Sequence, residues 1–359
     1  MNRSSQYKGR ASLSNPAGRF EATSTEACDD GWSPAEEPER TRVPTEVTLE
    51  VCKRIITRND SPDVPFDASI NPYRGCEHGC IYCFARPSHS YLGWSAGLDF
   101  ETRIVAKSNA AQALRRQLAA RNYRAQPIAL GANTDPYQPV EAELGITRDL
   151  LEVFLETRHP VGLITKGAGI LRDADLLAQL AQQRLVHVYI SITTLEPELA
   201  RRMEPRAASP KRRLATLKRL SQIGVPVGVL VSPIIPALND HEIERIVAAA
   251  AASGAGRIGA ILLRLPHELK TLFGEWLQRH YPDRAEHVLG RLREARGGKL
   301  YESAFGERMR GRGPYADMIQ ARFEAVRVRH GLSRNAYPFD LSRFRPPPRD
   351  VRQLSLFTM

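Results

Sequence analysis

Short apolar runs alternate with amphipathic stretches from about residue 68 to residue 263, and this alternation constrains the fold more than any other feature. Six runs have the length and apolar character of buried strands: 68–71, 127–131, 161–165, 186–193, 225–231 and 258–263. Helical stretches lie between them at 107–120, 147–157, 173–183, 210–223 and 240–252. Such alternation predicts an α/β fold with a parallel sheet and right-handed crossovers. Six units fit a partial (β/α)6 TIM-type barrel better than a closed barrel of eight strands.

The segments on either side of this region differ from it in composition. Residues 1–45 are rich in Ser, Pro, Gly and charged residues, which predicts a disordered or loosely docked N-terminal arm. We expect the barrel at residues 46–265, a basic and mostly helical extension at 266–344, and a proline-rich tail at 345–359. No apolar run reaches the roughly 18 residues that a membrane span needs, and the first ten residues lack the core of a secretory signal. We therefore expect a cytoplasmic protein with no membrane partner.

The charge of the chain is strongly positive and unevenly placed. The formal net charge is +11, and residues 284–352 carry 16 Arg and Lys against 8 Asp and Glu. A basic region of this kind favours a polyanionic partner such as nucleic acid. The candidate contacts are Arg308, Arg310, Arg312, Arg327 and Arg329. The alternative is an arginine-rich surface that is only solvated.

Three of the five cysteines lie within eight residues, in a C-x3-C-x2-C pattern. Thiolates are soft ligands that suit iron–sulfur clusters and zinc. Cys76, Cys80 and Cys83 can hold three irons of a [4Fe–4S] cluster and leave the fourth iron open for a chelating molecule. A zinc site with His78 or His89 as the fourth ligand is the alternative, although zinc sites more often have two separated pairs of ligands.

The other two cysteines are Cys28 and Cys52. An odd number of cysteines makes a poor disulfide framework and suits a reducing compartment. Both remain possible fourth ligands, but they lie on stretches with little predicted structure. We interpret them as ordinary small residues.

The motif from Asn71 to Cys83, Asn-Pro-Tyr-Arg-Gly-Cys-Glu-His-Gly-Cys-Ile-Tyr-Cys, resembles the signature of the radical S-adenosylmethionine (SAM) superfamily. Over about residues 42–265 the chain is similar to the branch that contains the spore photoproduct lyases. The resemblance implies a [4Fe–4S] cluster whose open iron chelates SAM, and an electron donor such as flavodoxin or ferredoxin. It also implies cleavage of SAM to a 5′-deoxyadenosyl radical that abstracts hydrogen from a substrate.

The resemblance further implies SAM-binding residues at the C-terminal ends of the strands, where barrel enzymes place their sites. The family's elements correspond here to Thr134-Asp135, Thr165-Lys166, Ser191-Ile192, Glu204-Pro205 and Ser232-Pro233. They imply that the cofactor is held by Thr134, Asp135, Lys166, Ser191, Glu204 and Ser232, with Lys166 at the SAM carboxylate. The alternatives are that the Thr and Ser residues cap turns and that Glu204 pairs with Arg206.

One position departs from the family pattern. The spore photoproduct lyases have a cysteine hydrogen donor just before the Thr-Ser-Asp element, where this chain has Ala132. The same hydrogen-return step is therefore unavailable, and Tyr82, Tyr137 and Tyr189 are the candidates for a radical relay. The favoured substrate is nucleic acid, as in DNA repair or base modification. The alternatives are modification of RNA or protein, and a non-catalytic iron–sulfur protein that binds DNA.

The C-terminal tail carries a short apolar peptide after its prolines. Gln353, Leu354, Leu356 and Phe357 resemble the Gln-Leu-x-Leu-Phe peptide by which bacterial polymerases and repair proteins bind the DNA sliding clamp. Burial of a Leu or Phe contributes about 1.5–3 kcal/mol before ordering costs, so such a peptide can bind a pocket on its own. The alternative is a tail that folds back onto its own core.

Overall fold

The computed structural model describes residues 7–20, 43–335 and 337–348. The strands are β1 Glu46–Glu50, β2 Ile56–Arg58, β3 Ala68–Ile70, β4 Tyr73–Arg74, β5 Arg103–Lys107, β6 Ile128–Leu130, β7 Val161–Thr165, β8 Val186–Ser191, β9 Val227–Ile234 and β10 Arg257–Leu262. The α-helices are α1 Asp99–Thr102, α2 Ala110–Leu118, α3 Glu141–Leu144, α4 Ile146–Glu156, α5 Ala174–Gln182, α6 Pro197–Met203, α7 Pro210–Gln222, α8 Ile243–Ala252, α9 Leu269–His280, α10 Pro282–Glu294 and α11 Pro314–Arg329. The 3-10 helices among the described residues lie at Arg86–Leu92, Ala168–Asp173, Asp240–Glu242 and Leu341–Arg343.

The larger sheet has seven strands in the order β10-β9-β8-β7-β6-β3-β2. Six of these strands are parallel to one another: β3, β6, β7, β8, β9 and β10. β2 pairs antiparallel with β3 at the edge of the sheet. These six are the strands that the apolar runs predict, because parallel strands are covered by helices and are apolar on both faces. The structure confirms the partial (β/α)6 TIM-type barrel.

A second sheet of three strands, in the order β1-β5-β4, was absent from the sequence prediction. β1 pairs parallel with β5, and β4 pairs antiparallel with it. β1 gives no burial signal because its side chains are largely exposed, and β4 has only two residues. The predicted helix at 107–120 is shorter than expected, since β5 extends to Lys107 and the helix begins at Ala110. This sheet matters for function because β4 leads directly into the cysteine motif.

Residues 7–20, part of the predicted N-terminal arm, pack against the barrel beside the cysteine motif. Arg10, Ala11 and Ser12 are buried. The Ala11 and Ser12 amides donate to the Glu101 carboxylate at 3.1 and 2.9 Å, and Arg10 donates to the Glu101 carbonyl at 2.7 Å. This part of the arm is therefore tied to the rest of the protein by buried hydrogen bonds.

The C-terminal extension is mostly helical, as expected. α9 and α10 pack against each other, and they share an apolar cluster that includes Phe273 and Trp276. α11 packs on α8 at the side of the barrel. The loop between α10 and α11 returns to the end of β10, where Arg296 donates to the Leu263 carbonyl at 2.6 Å. No helix among the described residues is both long enough and apolar enough to cross a membrane.

A buried histidine after α4 predicts a loss of stability in acid. Burial lowers the pKa of His159 to about 4, because the ring packs against Phe154 and Phe344. The unfolded chain binds this proton near pH 6.5, so the neutral ring's contribution is present above about pH 6.5 and is lost as the pH falls towards 4. The loss amounts to about 3 kcal/mol at most. His159→Phe should reduce the difference between the free energy of unfolding in urea at about pH 7.5 and that at about pH 4.5.

The matched control for this prediction is His330→Phe, because His330 is exposed. It should keep the wild-type pH dependence. An unchanged pH dependence in His159→Phe would show that this ring is not a source of the acid sensitivity.

Candidate active site

The cysteine motif forms a tight loop that begins at β4. The Cys76 amide donates to the Phe100 carbonyl at 2.9 Å, and turn hydrogen bonds of 3.2 Å join Gly79 to Cys76 and Cys83 to Cys80. Gly79 has a φ of 64°, and a Cβ there would lie 2.6 Å from Glu101 Oε2. A glycine is therefore needed at this position for both backbone and steric reasons.

A buried ion pair supports the loop from beneath. Arg86 and Glu101 are both fully buried and paired with each other. Arg86 also donates to the carbonyls of Cys80 at 2.8 Å, Gly79 at 2.9 Å and Gly97 at 2.8 Å. The guanidinium thus joins carbonyls of the cysteine loop to the carbonyl of Gly97, which fixes the backbone of the loop.

The three cysteines line one cavity at the C-terminal ends of the parallel strands. The space between its lining residues is about 1100 Å³, counting the part that is open to solvent. Cys76 and Cys80 are buried and Cys83 is partly exposed. Burial raises the pKa of the Cys80 thiol well above its ordinary value, and nearby Lys166 acts in the opposite direction. Lys166 is thus close enough to this loop to interact with it electrostatically.

Asp135 follows β6 and connects the cysteine loop to the next strand. Its carboxylate accepts hydrogen bonds from Thr165 Oγ1 at 2.6 Å and from the Lys166 amide at 2.7 Å. His78 Nδ1 lies 3.3 Å from the same carboxylate. Burial alone would raise the pKa of Asp135, but His78, Thr165 and the Lys166 amide together hold it well below its usual range. An ionised carboxylate therefore stands at the cavity wall.

Comparison with known proteins shows which family this arrangement belongs to. Residues 70–250 match the model of the radical SAM superfamily, and the cysteine loop lies inside that match. The chain belongs to the radical SAM superfamily. An uncharacterised protein of Mycobacterium tuberculosis is 34% identical over 266 residues, which are 73% of this chain and 77% of that protein. An uncharacterised protein of Methanocaldococcus jannaschii is 29% identical over 176 residues, 48% of this chain and 62% of that protein.

Among solved structures, spore photoproduct lyase has a similar fold. A variant of that enzyme with bound AdoMet and dinucleoside spore photoproduct superposes with a TM-score of 0.59. The match covers 81% of this chain and 82% of the lyase, at 15% sequence identity. At this identity the likeness shows that the two proteins share a fold.

Most of the residues that the radical SAM resemblance implies come together in the cavity. Its lining includes Cys76, Cys80, Tyr82, Cys83, Asp135, Lys166, Ser191 and Ser232. The Lys166 ammonium lies 5.8 Å from the centroid of the Tyr82 ring. The structure thus places these groups around one space, and their contacts with SAM stay predictions.

Thr134 and Glu204 do not line the cavity among the described residues. Thr134 Oγ1 donates to the Tyr73 carbonyl at 2.8 Å, which ties β6 to the start of the cysteine loop. Glu204 is buried and paired with Arg213, and it accepts a hydrogen bond from the Tyr82 hydroxyl. The alternative pairing of Glu204 with Arg206 is wrong.

Arg206 instead pairs with Glu77 at 2.8 Å. Glu77 lies within the cysteine loop, and its carboxylate also accepts from the Val140 amide at 2.6 Å. Arg206 therefore stabilises the cysteine loop through its ion pair with Glu77, while Glu204 fixes the Tyr82 hydroxyl through a hydrogen bond.

Of the three candidate relay tyrosines, only Tyr82 lines the cavity. The Tyr137 hydroxyl donates to Asp173 at 3.0 Å on another side of the loop. Tyr189 packs against His187, with ring centroids 5.2 Å apart. The sequence could not distinguish these positions, because the direction of each side chain depends on the packing around it. Tyr82 is the one candidate with access to the cavity.

Of the residues named as possible fourth ligands, His78 lines the same cavity as the three cysteines, whereas His89 and Cys52 do not. His89 is buried between Trp94 and Phe100, and burial lowers its pKa to about 4. Cys52 lies outside the cavity, with its amide bonded to Asn109 at 2.9 Å, and Cys28 lies outside the described residues. No three His, Cys, Asp or Glu side chains within the described ranges converge on a point that could hold a single metal ion.

The three cysteines nevertheless fit a [4Fe–4S] cluster. Each cysteine of such a cluster binds a different iron, so the thiols need to surround a space rather than meet at a point. The loop offers three thiols facing one cavity, in a motif whose backbone is fixed by Arg86. The donor set is all sulfur, which is the set that iron–sulfur clusters use.

Several cavity residues were missed by sequence reasoning. They come from segments without a strand-end motif: Val64, Phe66, Phe84, Arg264 and Met309. Val64 and Phe66 precede β3, whereas Met309 belongs to the loop before α11. No local pattern marks such residues, because folding alone brings them to the mouth of the cavity.

Proposed function

We propose that this protein cleaves SAM reductively at a [4Fe–4S] cluster held by Cys76, Cys80 and Cys83. A bound cluster supplies the electron that converts SAM to methionine and a 5′-deoxyadenosyl radical. The observation that carries the proposal is that the three thiols share one cavity with Lys166 and Ser191 at the strand ends. The remaining protein groups bind and orient SAM and limit the access of water.

Within this proposal, Lys166 binds the SAM carboxylate. It lines the cavity close to Cys80, and its backbone is fixed by Asp135. The hydrogen bonds around Asp135 fix the backbone of this segment, so the Lys166 side chain would be available in the cavity to hold a bound SAM. A charged hydrogen bond in such a site is strong because few waters compete for it.

Lys166→Ala should weaken SAM binding with iron content unchanged. The lost charged hydrogen bond costs about 1.5–3 kcal/mol, which corresponds to roughly a 10-fold to 150-fold higher Kd. Equilibrium dialysis of SAM with reconstituted protein measures this, and Ser191→Ala should show a smaller loss. Lys211→Ala, at an exposed position on α7, is the matched control and should bind as wild type does. An unchanged Kd in Lys166→Ala would remove Lys166 from the SAM site.

Nucleic acid is the substrate class that we propose. The net charge of +11 favours a polyanion, and the lyase of similar fold binds a dinucleoside photoproduct. Arg308 pairs with Asp63, Arg327 with Glu324, and Arg312 with Glu307, so these three arginines are partly neutralised. No ion pair of Arg310 or Arg329 occurs within the described part of the chain. These two are the stronger candidates for phosphate contacts.

Within this proposal the reaction outcome differs from dimer reversal through a cysteine, because Ala132 lines the cavity and stands where the resemblance implies that cysteine. We propose hydrogen abstraction from a base or sugar, with damaged or modified DNA as the first class to test. RNA or protein modification and non-catalytic DNA binding are the competing functions. An electron donor of the flavodoxin or ferredoxin type completes the proposal.

Deuterium transfer distinguishes these functions. Anaerobic turnover with deuterated DNA, deuterated RNA or a deuterated protein extract should place deuterium in 5′-deoxyadenosine only for the true substrate class. We expect transfer from DNA, detected by mass spectrometry. Transfer from RNA or protein alone would replace the DNA proposal by that class, and 5′-deoxyadenosine that never carries deuterium would contradict hydrogen abstraction from any of them.

Clamp binding by the C-terminal peptide stays a prediction. Gln353, Leu354, Leu356 and Phe357 lie outside the described residues.

A further inference from the structure

The mouth of the cavity carries an arginine stacked on an exposed aromatic ring. Phe84 follows the last cysteine of the motif, lines the cavity and is 44% exposed. The guanidinium carbon of Arg264 lies 5.2 Å from the centroid of this ring. Arg264 lies just beyond β10 and lines the same cavity. A planar cation and a ring face therefore stand together at the entrance.

Arg264 has unused hydrogen-bonding capacity. Its Nη1 lies 3.4 Å from the sulfur of Met309, a weak acceptor, and its Nε is buried with no hydrogen-bond partner among the described residues. No ion pair of Arg264 is found in the described ranges either. Burial, with Arg264 close by, lowers the pKa of Arg296 to about 10. The Asp63 carboxylate lies within electrostatic range of Arg264, but the buried Nε still lacks the acceptor that an anion would supply.

A second pair of the same kind lies on the neighbouring loop. Phe305 is 58% exposed, and the guanidinium carbon of Arg308 lies 4.6 Å from its centroid. Arg308 is anchored by Asp63, which directly precedes the lining residue Val64. The second pair is therefore held against the segment that forms the cavity wall.

We propose that this rim binds an unpaired nucleotide of the substrate, with a phosphate on Arg264 and a base stacked on Phe84. Phe305 would stack a neighbouring base. Guanidinium groups bind phosphates in a planar, bidentate manner, and aromatic rings stack on bases without regard to sequence. An apolar peptide would use the rings but leave the buried donor of Arg264 unmatched. The inference rests on the proposed function and names the form in which its substrate is bound.

The nucleotide must be unpaired because a base inside a duplex cannot reach either ring. Enzymes that act on a base extrude it or use single strands for this reason. The cavity beyond the rim is lined by apolar side chains such as Phe66 and Ile261, so it suits a base that has left the stack. Single strands should therefore bind better than duplexes of the same sequence.

The test is fluorescence anisotropy with a labelled oligothymidylate of about 12 nucleotides, a length within the usual site size for single strands. Reconstituted protein with SAM is titrated anaerobically. Arg264→Gln and Phe84→Leu should each weaken binding about tenfold, because they remove a phosphate contact and a stacking face. Phe84→Leu keeps an apolar side chain beside the cluster loop, and Phe305→Ala supplies a variant at a surface position. Arg115→Gln, which removes an exposed pair with Glu156, is the control and should bind as wild type does.

Several outcomes would overturn the inference. These are wild-type affinity in both Arg264→Gln and Phe305→Ala, tighter binding of the duplex than of the single strand, or a loss of SAM affinity in Arg264→Gln with oligonucleotide affinity intact. Release of 5′-deoxyadenosine by wild type is measured in parallel. Release of 5′-deoxyadenosine without oligonucleotide binding would refute the nucleotide site at the rim and leave the radical SAM function intact. Binding that depends on the rim residues, without release of 5′-deoxyadenosine, would support the nucleotide site and refute the radical SAM function.

Discussion

Cys80→Ala is expected to lose most of the iron that the protein carries after anaerobic reconstitution. Wild type should hold about four irons per chain with the broad visible absorbance of a [4Fe–4S] cluster. Cys80 is buried at the centre of the loop, and its carbonyl is fixed by Arg86 at 2.8 Å. Cys52 cannot replace it, because Cys52 lies outside the cavity. The cluster would therefore be left with two of its three ligands.

The control is Cys52→Ala, which removes a buried cysteine elsewhere in the fold. It should keep wild-type iron content and absorbance. Stoichiometric zinc in a colourless wild-type protein would contradict the cluster and favour the zinc alternative. Equal iron in Cys80→Ala and wild type would show that this thiol is not a ligand.

Arg86→Met is expected to destabilise the protein by about 3–5 kcal/mol. The substitution leaves the Glu101 carboxylate as an uncompensated charge in a site where both side chains are fully buried. It also removes donors from the carbonyls of Gly79 and Cys80, so the cysteine loop loses its support. Urea unfolding of the metal-free protein measures the change, and iron uptake should fall as well.

Arg115→Met is the matched control, because Arg115 forms an ion pair with Glu156 that is exposed on both sides. Such surface pairs contribute about 0–1 kcal/mol. A loss in Arg86→Met no larger than in this control would mean that the buried pair does not hold the loop. A wild-type free energy of unfolding in Arg86→Met, together with reduced iron uptake, would instead show that Arg86 acts only in cluster assembly.

The barrel could be predicted from sequence because its strands are buried on both faces. β7 is buried at four of its five positions and β8 at four of its six, so each strand carries a burial signal of its own. β1 is exposed and β4 has two residues, and neither carries such a signal. The packing of residues 7–20 was also unpredictable, since it depends on the buried Glu101 carboxylate some 90 positions along the chain.

Some residues of the candidate site could likewise be predicted from the sequence, and others could not. The cysteine loop is a local motif, and Lys166 and Ser191 meet because the carboxyl ends of parallel strands share one edge. Arg264 and Met309 could not be predicted, because only the return of the loop before α11 brings them together. Glu204 has the right position along the chain for a SAM ligand, but its side chain turns into the core to meet Arg213.

The release of 5′-deoxyadenosine tests the central claim most directly. Reconstituted wild type, incubated anaerobically with dithionite and SAM, should produce 5′-deoxyadenosine and methionine in equal amounts, and Cys80→Ala should produce neither. Chromatography coupled to mass spectrometry measures both products. A wild-type protein that carries a full, reducible [4Fe–4S] cluster, binds SAM and still releases no 5′-deoxyadenosine, with or without DNA, would contradict radical SAM catalysis by this chain.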